Sequence, residues 1–404
     1  MRYWLPTALA IASVVALVAH LVYGAALSGA DLDVYHGGAS AVAHGHSPYV
    51  FSSSNQLQFT YPPFAAMFLV PIGLLPIAAA VPVWAGLCTL ALEATVWILL
   101  GAIGMQGRRR ALFTAAGTVA AFSLAPISSN FWTGQINTIL MLLIVADLVR
   151  PDRPARQPAD AGRWRGVSVS GRVSVGIGVG VGIAAGLKLT PLIFVPYLLL
   201  SGRARAGLTA LATFAATVLA GFVVLPGGSW EYWRNDAWNT KKIVPVDDAW
   251  IFSQSILGAF KRVRHYLPAT PLWLLLAAVV AVVGLTVAVR ASRRGDEPTG
   301  VVVCAITGLL VSPVSWPFHW VWCVPLLVLE AARAWQNGRK RQKAGAVALW
   351  LAFALASIWT FAVFFADPGQ PGTVLVVLFA DLFVLVGLVM LAVLARRAAP
   401  RPGR

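Results

Sequence analysis

The chain has 404 residues, of which 58% are hydrophobic and only 11% are charged, whereas soluble domains carry about 25% charged residues. This composition excludes an ordinary soluble protein and predicts an all-α polytopic membrane protein, folded as one integral domain over 1–404. The formal charge of +16 comes from 31 Lys and Arg against 15 Asp and Glu. Because the basic residues lie in short gaps between apolar runs, they indicate membrane topology, and no nucleic-acid partner is expected.

Apolar runs that suit spanning helices follow one another along the whole chain. A spanning helix needs about 20 apolar residues, and fewer where it is broken. An even number of spans, about twelve, places both termini on one side of the plasma membrane. We place that side in the cytoplasm, because the basic clusters then face it. The runs are 4–27, 81–105, 111–126, 136–149, 173–187, 189–200, 206–225, 270–290, 299–314, 320–334, 344–365 and 373–395.

Three of the segments between these runs are long and polar. Residues 28–62 form the first external loop, and residues 226–269 form a second large external loop. Residues 151–172 are rich in Arg, Pro, Gly and Ser. Such a composition is typical of a solvated linker, so we assign this segment to the cytoplasm.

A further segment, 63–80, is apolar but contains Pro63, Pro71 and Pro76. Proline interrupts a helix because it lacks the backbone N–H group. Counting the segment as a full span would also put the arginines at 108–110 outside. We therefore expect 63–80 to be re-entrant or to lie along the interface.

Polar residues that are costly near a membrane fall on the external side once this topology is fixed. An ionisable residue at membrane depth is a candidate for function. Several such residues on one face define a site better than any single motif does. They are Asp31, Asp33, Tyr61, Gln135, Asn137, Lys188, Gln254 and His319.

Six short stretches carry a resemblance to a known family. The sequence resembles glycosyltransferase family 87 of the membrane-embedded GT-C class, the actinobacterial polyprenyl-phosphate-mannose-dependent α-(1→2)-mannosyltransferases, and most of all those that extend phosphatidylinositol mannosides. The stretches occur in order between residues 31 and 320, a range of about three quarters of the chain. They are Asp31-Leu32-Asp33-Val34-Tyr35, Phe59-Thr60-Tyr61-Pro62-Pro63-Phe64, Gly134-Gln135-Ile136-Asn137, Lys188-Leu189-Thr190-Pro191, Ser253-Gln254-Ser255, and Ser312-Pro313 through His319-Trp320.

The resemblance implies a GT-C-type bundle of about 12 transmembrane helices whose external loops form the active site. The donor would be polyprenyl-phosphate-mannose, and the acceptor a mannosylated phosphatidylinositol drawn from among the membrane lipids. Transfer from a β-linked donor to an α linkage inverts the anomeric centre in one displacement and requires a general base. The family's Asp-Leu-x-Val-Tyr pattern maps that base onto Asp31. Asp33 falls on the variable position and is the second candidate, and the structural alternative is that both cap a loop helix or face water.

No metal ion or other cofactor is expected. Asp31 and Asp33 have the Asp-x-Asp spacing of metal-dependent nucleotide-sugar enzymes, but residues two apart point to different sides of a strand or helix. A monophosphate leaving group can be neutralised by protein cations alone.

Two basic groups are candidates for binding the donor phosphate. Lys188 and His319 are the first, because preformed donors stabilise the charge that builds on a leaving phosphate. Lys261, Arg262 and Arg264 form the second, with general attraction to anionic phospholipid as the alternative.

Aromatic and amide side chains on the same side are candidates for binding sugar or lipid. Tyr61, Trp316 and Trp320 could stack on sugar rings, although aromatic belts are common at membrane interfaces. For the amides the alternative is helix capping or interhelical bonding. These amides are Gln135, Asn137 and Gln254.

Two other functions stay open at the level of sequence. A related enzyme could transfer a different sugar or act on a different acceptor, as a lipomannan-branching mannosyltransferase or an arabinofuranosyltransferase would. A lipid or solute carrier also has broken helices and intramembrane charge, but carriers tend to have repeated halves, and none is visible in this sequence.

Overall fold

The computed structural model describes residues 29–50, 53, 57–149, 177–239, 251–263, 270–365 and 380–398. Over these residues the chain is built from helices, which confirms the predicted all-α class. Three of the predicted features lie outside the described residues, namely the first span 4–27, the linker 151–172 and Arg264. The α-helices are α1 Ala30–Ala43, α2 Pro63–Phe68, α3 Val70–Gly73, α4 Ile77–Ala102, α5 Gly107–Ala121, α6 Ala125–Thr133, α7 Asn137–Leu148, α8 Val179–Leu187, α9 Phe194–Leu200, α10 Ala204–Val224, α11 Pro226–Glu231, α12 Ile256–Val263, α13 Thr270–Arg293, α14 Glu297–Val311, α15 Cys323–Asn337, α16 Lys340–Phe365 and α17 Leu382–Ala398.

Several helices are apolar enough for a membrane protein. Among the described residues, α4, α10 and α13 have the length and composition to cross a membrane, and the pair α5 and α6, bent by 73°, would add a fourth. Shorter apolar helices occupy Asn137–Leu148, Thr190–Leu200 and Glu297–Val311. The count of about twelve spans stays a prediction.

Segment 63–80 is divided by its prolines. Helix α2 begins at Pro63, α3 carries a proline in its first turn, and Pro76 is the N-cap of α4. Proline is tolerated at these positions because the first N–H groups of a helix have no intrahelical partner. The resulting helices of 6 and 4 residues are too short to cross a bilayer, and α4 begins at Ile77, earlier than the predicted 81.

The first external loop contains a helix that the sequence analysis did not predict. Helix α1 has 14 residues and packs against α2, α3 and α4. Its buried residues include Leu32, Val34 and Tyr35. The two acidic residues therefore lie on a helix fixed by packing.

Close packing of α8 against α10 fixes the end of α8. A Cβ atom on Gly182 would lie 2.6 Å from the backbone oxygen of Ala210, and one on Gly186 would lie 2.3 Å from Oγ1 of Thr217. Neither distance leaves room for a side chain. The glycines thus let the two backbones approach, and Lys188 follows directly as the C-cap of α8.

Candidate active site

Three distant segments bring Asp31, Lys188 and His319 into one cluster. Asp31 is in the first turn of α1, Lys188 ends α8, and His319 is in a 3₁₀ turn before α15. Nζ of Lys188 lies 2.9 Å from Nε2 of His319, and the charges of Lys188 and Asp31 act on each other. All three residues lie between the predicted spans. The structure thus places Asp31, the first candidate for the base, close to Lys188 and His319, the first candidates for binding the phosphate.

Neutral side chains hold the carboxylate of Asp31. The side-chain amide of Gln135 donates to it, and the hydroxyl of Thr133, which donates to the carbonyl of Ser129 over 3.1 Å, lies beside it. The surrounding protein raises the pKa of Asp31 because it removes water from the carboxylate, while the bond from Gln135 and the charge of Lys188 act in the lowering direction. The result is a carboxylate that is a stronger base than one in water.

A tyrosine fixes the orientation of the Gln135 amide. The hydroxyl of Tyr35 donates to Oε1 of Gln135 over 2.9 Å, which leaves the amide nitrogen to donate to Asp31 and, over 3.3 Å, to the hydroxyl of Tyr61. The hydroxyls of Tyr35 and Tyr61 also lie 3.0 Å apart; because the single proton of Tyr35 goes to Gln135, Tyr61 donates in this contact. Since the amide oxygen would repel a carboxylate, Tyr35 determines which end of the amide faces Asp31.

The turn before Gln135 requires glycine. Gly134 has φ 76° at the C-terminus of α6, a conformation that costs little only for glycine. A Cβ atom there would lie 2.6 Å from Cβ of Leu32, next to Asp31. The indole of Trp84 donates to the carbonyl of Gly134 over 2.7 Å. These contacts set the distance between Gln135 and the first turn of α1.

The hydrogen bonds of His319 define its tautomer. The backbone N–H of Trp316 donates to Nδ1 over 3.0 Å, so the neutral ring carries its proton on Nε2. Nε2–H then faces Nζ of Lys188, and Nζ can accept this hydrogen bond only as an unprotonated amine.

Burial affects the pKa values of both residues. It lowers the pKa of Lys188 to about 8, although the charge of Asp31 acts in the raising direction. Burial and the charge of Lys188 lower the pKa of His319.

Asn137 and Tyr61 complete the surroundings of Lys188. Nζ donates to Oδ1 of Asn137 over 3.2 Å and lies 5.5 Å from the ring centre of Tyr61. The amide of Asn137 donates to Oδ1 of Asn130 and to the carbonyl of Phe318. Asn137 therefore connects the start of α7 with both Lys188 and the His319 turn, and binding of sugar by Asn137 or Tyr61 stays a prediction.

The structure does not bring Gln254 or Trp320 into this cluster. The amide nitrogen of Gln254 donates to the carbonyls of Ile251 and Ala380 over 2.7 and 2.6 Å, so both of its hydrogens are used. Trp320 is only 1% exposed, contacts Phe383 and donates to the carbonyl of Gln254. Both side chains therefore connect protein segments, and their contacts with sugar stay a prediction.

The second predicted basic group is held separately. Arg262 forms an ion pair with Asp381 and donates to the carbonyl of Ser253 over 2.8 Å. This carboxylate already compensates its charge, which is a reason against a phosphate-binding role. Lys261 lies next to it in α12, and Arg264 is outside the described residues.

Two other candidates, Asp33 and Trp316, stand close in the chain to residues of the cluster. Asp33 is on α1 two residues after Asp31, about 200° around the helix. The ring of Trp316 is partly exposed and lies 5.5 Å from that of Phe318. Among the described residues, no three His, Cys, Asp or Glu side chains form a group that could hold a metal ion, and the expectation of no metal stays a prediction.

Tyr35, Thr133 and Asn130 are site residues that the sequence analysis did not single out. Tyr35 had a usable signal, because Asp31 and Tyr35 are four residues apart and share one face of a helix. The polar composition of 28–62 predicts a loop, and the structure differs from this prediction because residues 30–43 form a helix. Thr133 and Asn130 belong to α6, whose 73° bend from α5 directs them to the site.

The comparison with known families decides the class of protein. A profile described as glycosyltransferase family 87 matches residues 59–313, which is more than half of the chain. The chain belongs to this family. The resemblance inferred from the six stretches is confirmed, and the protein is a membrane-associated glycosyltransferase.

Several curated mannosyltransferases are also similar to this chain in sequence. A polyprenol-phosphate-mannose-dependent alpha-(1-2)-phosphatidylinositol mannoside mannosyltransferase of Mycobacterium tuberculosis is 35% identical, and the alignment covers 82% of this chain and 75% of the relative. A protein of the same name from Mycolicibacterium smegmatis is 34% identical over the same shares. A Mycobacterium tuberculosis relative named for phosphatidylinositol pentamannoside is 32% identical and is covered to 74%, with 84% of this chain. No solved structure matches significantly.

Proposed function

We propose that this protein transfers mannose from polyprenyl-phosphate-mannose to a phosphatidylinositol mannoside and forms an α-(1→2) linkage. The family and the names of the relatives support this choice of donor and acceptor. The observation that carries the chemistry is the cluster of Asp31 with Lys188 and His319, because it combines a base and a phosphate-binding pair in one place.

Asp31 acts as the general base. It accepts the proton of the acceptor hydroxyl while the oxygen of that hydroxyl forms the new bond to the anomeric carbon. The bond from that carbon to the donor phosphate oxygen breaks, and its electron pair stays on the phosphate. Such a base works when it is ionised and within hydrogen-bond reach, and the bond from Gln135 and the charge of Lys188 both favour the ionised form.

Lys188 and His319 bind the departing phosphate. Nε2–H of His319 is directed at Nζ of Lys188, so a phosphate oxygen that enters between them accepts from the imidazole and favours protonation of the amine. Lys188 can respond near neutral pH because its pKa is about 8. Preformed donors of this kind contribute to rate because negative charge grows on the phosphate in the transition state.

The active site faces the outer leaflet of the plasma membrane, and the termini are cytoplasmic. The support is the distribution of charge: Arg203, Arg293, Arg333 and Arg397 lie at helix ends opposite the site. Such clusters stay in the cytoplasm under the positive-inside rule.

Transfer proceeds without a metal ion or other cofactor, because Lys188 and His319 supply the neutralising groups. We expect full activity in a chelator. Loss of activity in the chelator together with recovery on adding magnesium or manganese would refute this part of the proposal.

The decisive experiment measures transfer by the purified protein in lipid nanodiscs. Labelled polyprenyl-phosphate-mannose is supplied with phosphatidylinositol mannosides of increasing mannose number, and the linkage of the product is determined. We expect an α-(1→2)-mannosylated lipid and no inhibition by polyprenyl-phosphate-arabinofuranose. Transfer of arabinofuranose, or lipid movement without any transfer, would replace the proposal by the corresponding alternative.

A further inference from the structure

A polar cavity lies at the helix ends opposite Asp31. Its volume is about 330 Å³, and it is lined by Arg333, Asn337, Arg339, Gln342 and Arg397. The C-terminal ends of α15 and α17 and the first turn of α16 form its wall. The 15 residues of α15 separate it from the His319 turn by about 22 Å. The cavity is therefore distinct from the active site.

The charges in this cavity are incompletely compensated. Arg333 binds Asp296 over 2.9 Å and Glu330 over 2.6 Å, and Arg397 binds Glu330 over 2.8 Å. The two arginines and two carboxylates balance. Arg339 is exposed and has no carboxylate partner among the described residues, so one positive charge remains for an external anion.

An amide in the cavity also lacks a protein partner. The side-chain oxygen of Gln342 is buried and, within the part of the chain that the structure describes, has no hydrogen-bond partner. A buried acceptor without a partner costs free energy. A ligand that carries a hydroxyl beside its negative group would satisfy both Gln342 and Arg339.

Exposed aromatic and apolar side chains lie on the helices that form the cavity. Trp335, between the cavity residues Arg333 and Asn337 on α15, is 79% exposed, and Nζ of Lys343 lies 5.2 Å from the centre of its ring. Exposed tryptophans mark the membrane interface. Exposed apolar side chains continue along the neighbouring helices at Val347 of α16 and Val389 of α17, where an acyl chain could lie.

We propose that this cavity binds the phosphodiester of an anionic phospholipid with a hydroxylated headgroup, drawn from the leaflet opposite the active site. Arg339 and its paired neighbours bind the phosphate, Gln342 accepts from the headgroup hydroxyl, and the acyl chains lie along α16 and α17. Basic pockets between membrane helices are suited to such headgroups. Occupancy ties α15, α16 and α17 together, so the lipid stabilises the fold.

The test measures the melting temperature of the full-length protein in nanodiscs of phosphatidylcholine with increasing phosphatidylglycerol. We expect the melting temperature to rise and saturate. In Arg339→Gln the fraction of phosphatidylglycerol needed for half of the rise should increase about fivefold, as expected for one lost contact. Arg109→Gln is the matched control, because Arg109 is exposed on the same predicted side but outside the cavity.

A second arm separates the lipid from free phosphate. Inorganic phosphate and glycerol phosphate are added to the protein in phosphatidylcholine alone, and we expect no rise. A rise there that Arg339→Gln removes would mean that a soluble phosphate occupies the cavity, which overturns the lipid assignment. Equal shifts in Arg339→Gln and Arg109→Gln would mean general surface attraction and overturn the site. Melting of both variants in phosphatidylcholine alone shows whether they fold.

Discussion

Charged side chains are held in opposite ways in the Asp31 cluster and at the opposite ends of the helices. At the end opposite the site, cations contact carboxylates directly: Arg203 pairs with Glu297, and Arg333 pairs with Asp296 and Glu330. Glu297 also accepts from neighbouring hydroxyl groups. These pairs compensate their own charges, so we assign them to the stability of the fold.

In the cluster of Asp31, Lys188 and His319, neutral groups surround the charges. Lys188 contacts His319 and Asn137, while Asp31 accepts from Gln135 and lies beside Thr133. Asp31 and Lys188 influence each other through space, but no direct ion pair between them is present. The comparison indicates that a charged side chain remains available for a substrate when neutral donors and acceptors surround it and no oppositely charged side chain pairs with it.

The largest expected effect is on the base. Asp31→Asn keeps the size of the side chain and removes its ability to accept a proton, so transfer should fall about 10²- to 10⁴-fold. The assay is the initial rate of labelled mannose transfer in nanodiscs, with the melting temperature as a check of folding. Asp33→Asn is the matched variant, and we expect it to keep at least a third of the rate. A larger loss in Asp33→Asn than in Asp31→Asn would exchange their roles.

The next effect concerns the phosphate-binding pair. Lys188→Met removes a preformed donor, and a loss of about 10²- to 10³-fold in the maximal rate is expected, as for other transition-state donors. Because the charge of Lys188 lowers the pKa of Asp31, the acid limb of the pH profile should also move to higher pH. An unchanged rate in Lys188→Met would remove Lys188 from the mechanism.

Removal of a charge at the opposite helix ends should lower the stability of the fold and leave the transfer rate per folded molecule unchanged. Arg203→Gln leaves Glu297 largely buried without its cation, which costs about 3 kcal/mol in comparable pairs. The melting temperature should therefore drop, while the transfer rate, normalised to folded protein, stays close to wild type. The double variant Arg203→Gln with Glu297→Gln should recover much of the loss, because no unpaired charge remains. A rate loss that exceeds the loss of folded protein would contradict the assignment.

The sequence predicts which ionisable residues meet in the cluster better than it predicts how the protein around them is built. Asp31, Lys188 and His319 were identifiable because ionisable residues are rare near a membrane and because the six stretches resemble the family. Gln254 and Trp320 occur in the same stretches but connect protein segments. A short motif specifies that a residue is polar or aromatic at that position, and only the packing of distant helices decides what it contacts.

The fold, like the site, is predicted only in part by the sequence. The apolar runs predict helices, and the prolines correctly divide 63–80. The polar composition of 28–62 predicts a loop, whereas the structure has helix α1 there, whose buried face, including Leu32 and Tyr35, packs against α2, α3 and α4. The bend between α5 and α6 has a local signal in Pro126, in the first turn of α6, but the proline does not specify the direction in which α6 continues.

The smallest expected effect tests how precisely the Asp31 cluster is built. Tyr35→Phe removes the hydroxyl that holds Oε1 of Gln135, so the amide loses its fixed orientation and its bond to Asp31 weakens. That bond lowers the pKa of Asp31; when it weakens the pKa rises. Asp31 accepts a proton only when ionised, so the acid limb of the pH profile should move to higher pH.

The rate of Tyr35→Phe should fall about fivefold at neutral pH, which corresponds to one ordinary hydrogen bond, and the loss should shrink at higher pH where Asp31 is fully ionised again. Tyr197→Phe is the matched control, because its hydroxyl donates to Glu297 at the opposite end. It should lower the melting temperature without moving the acid limb. If the loss in Tyr35→Phe were independent of pH, Tyr35 would contribute packing alone, since only an effect on the Asp31 carboxylate depends on its protonation.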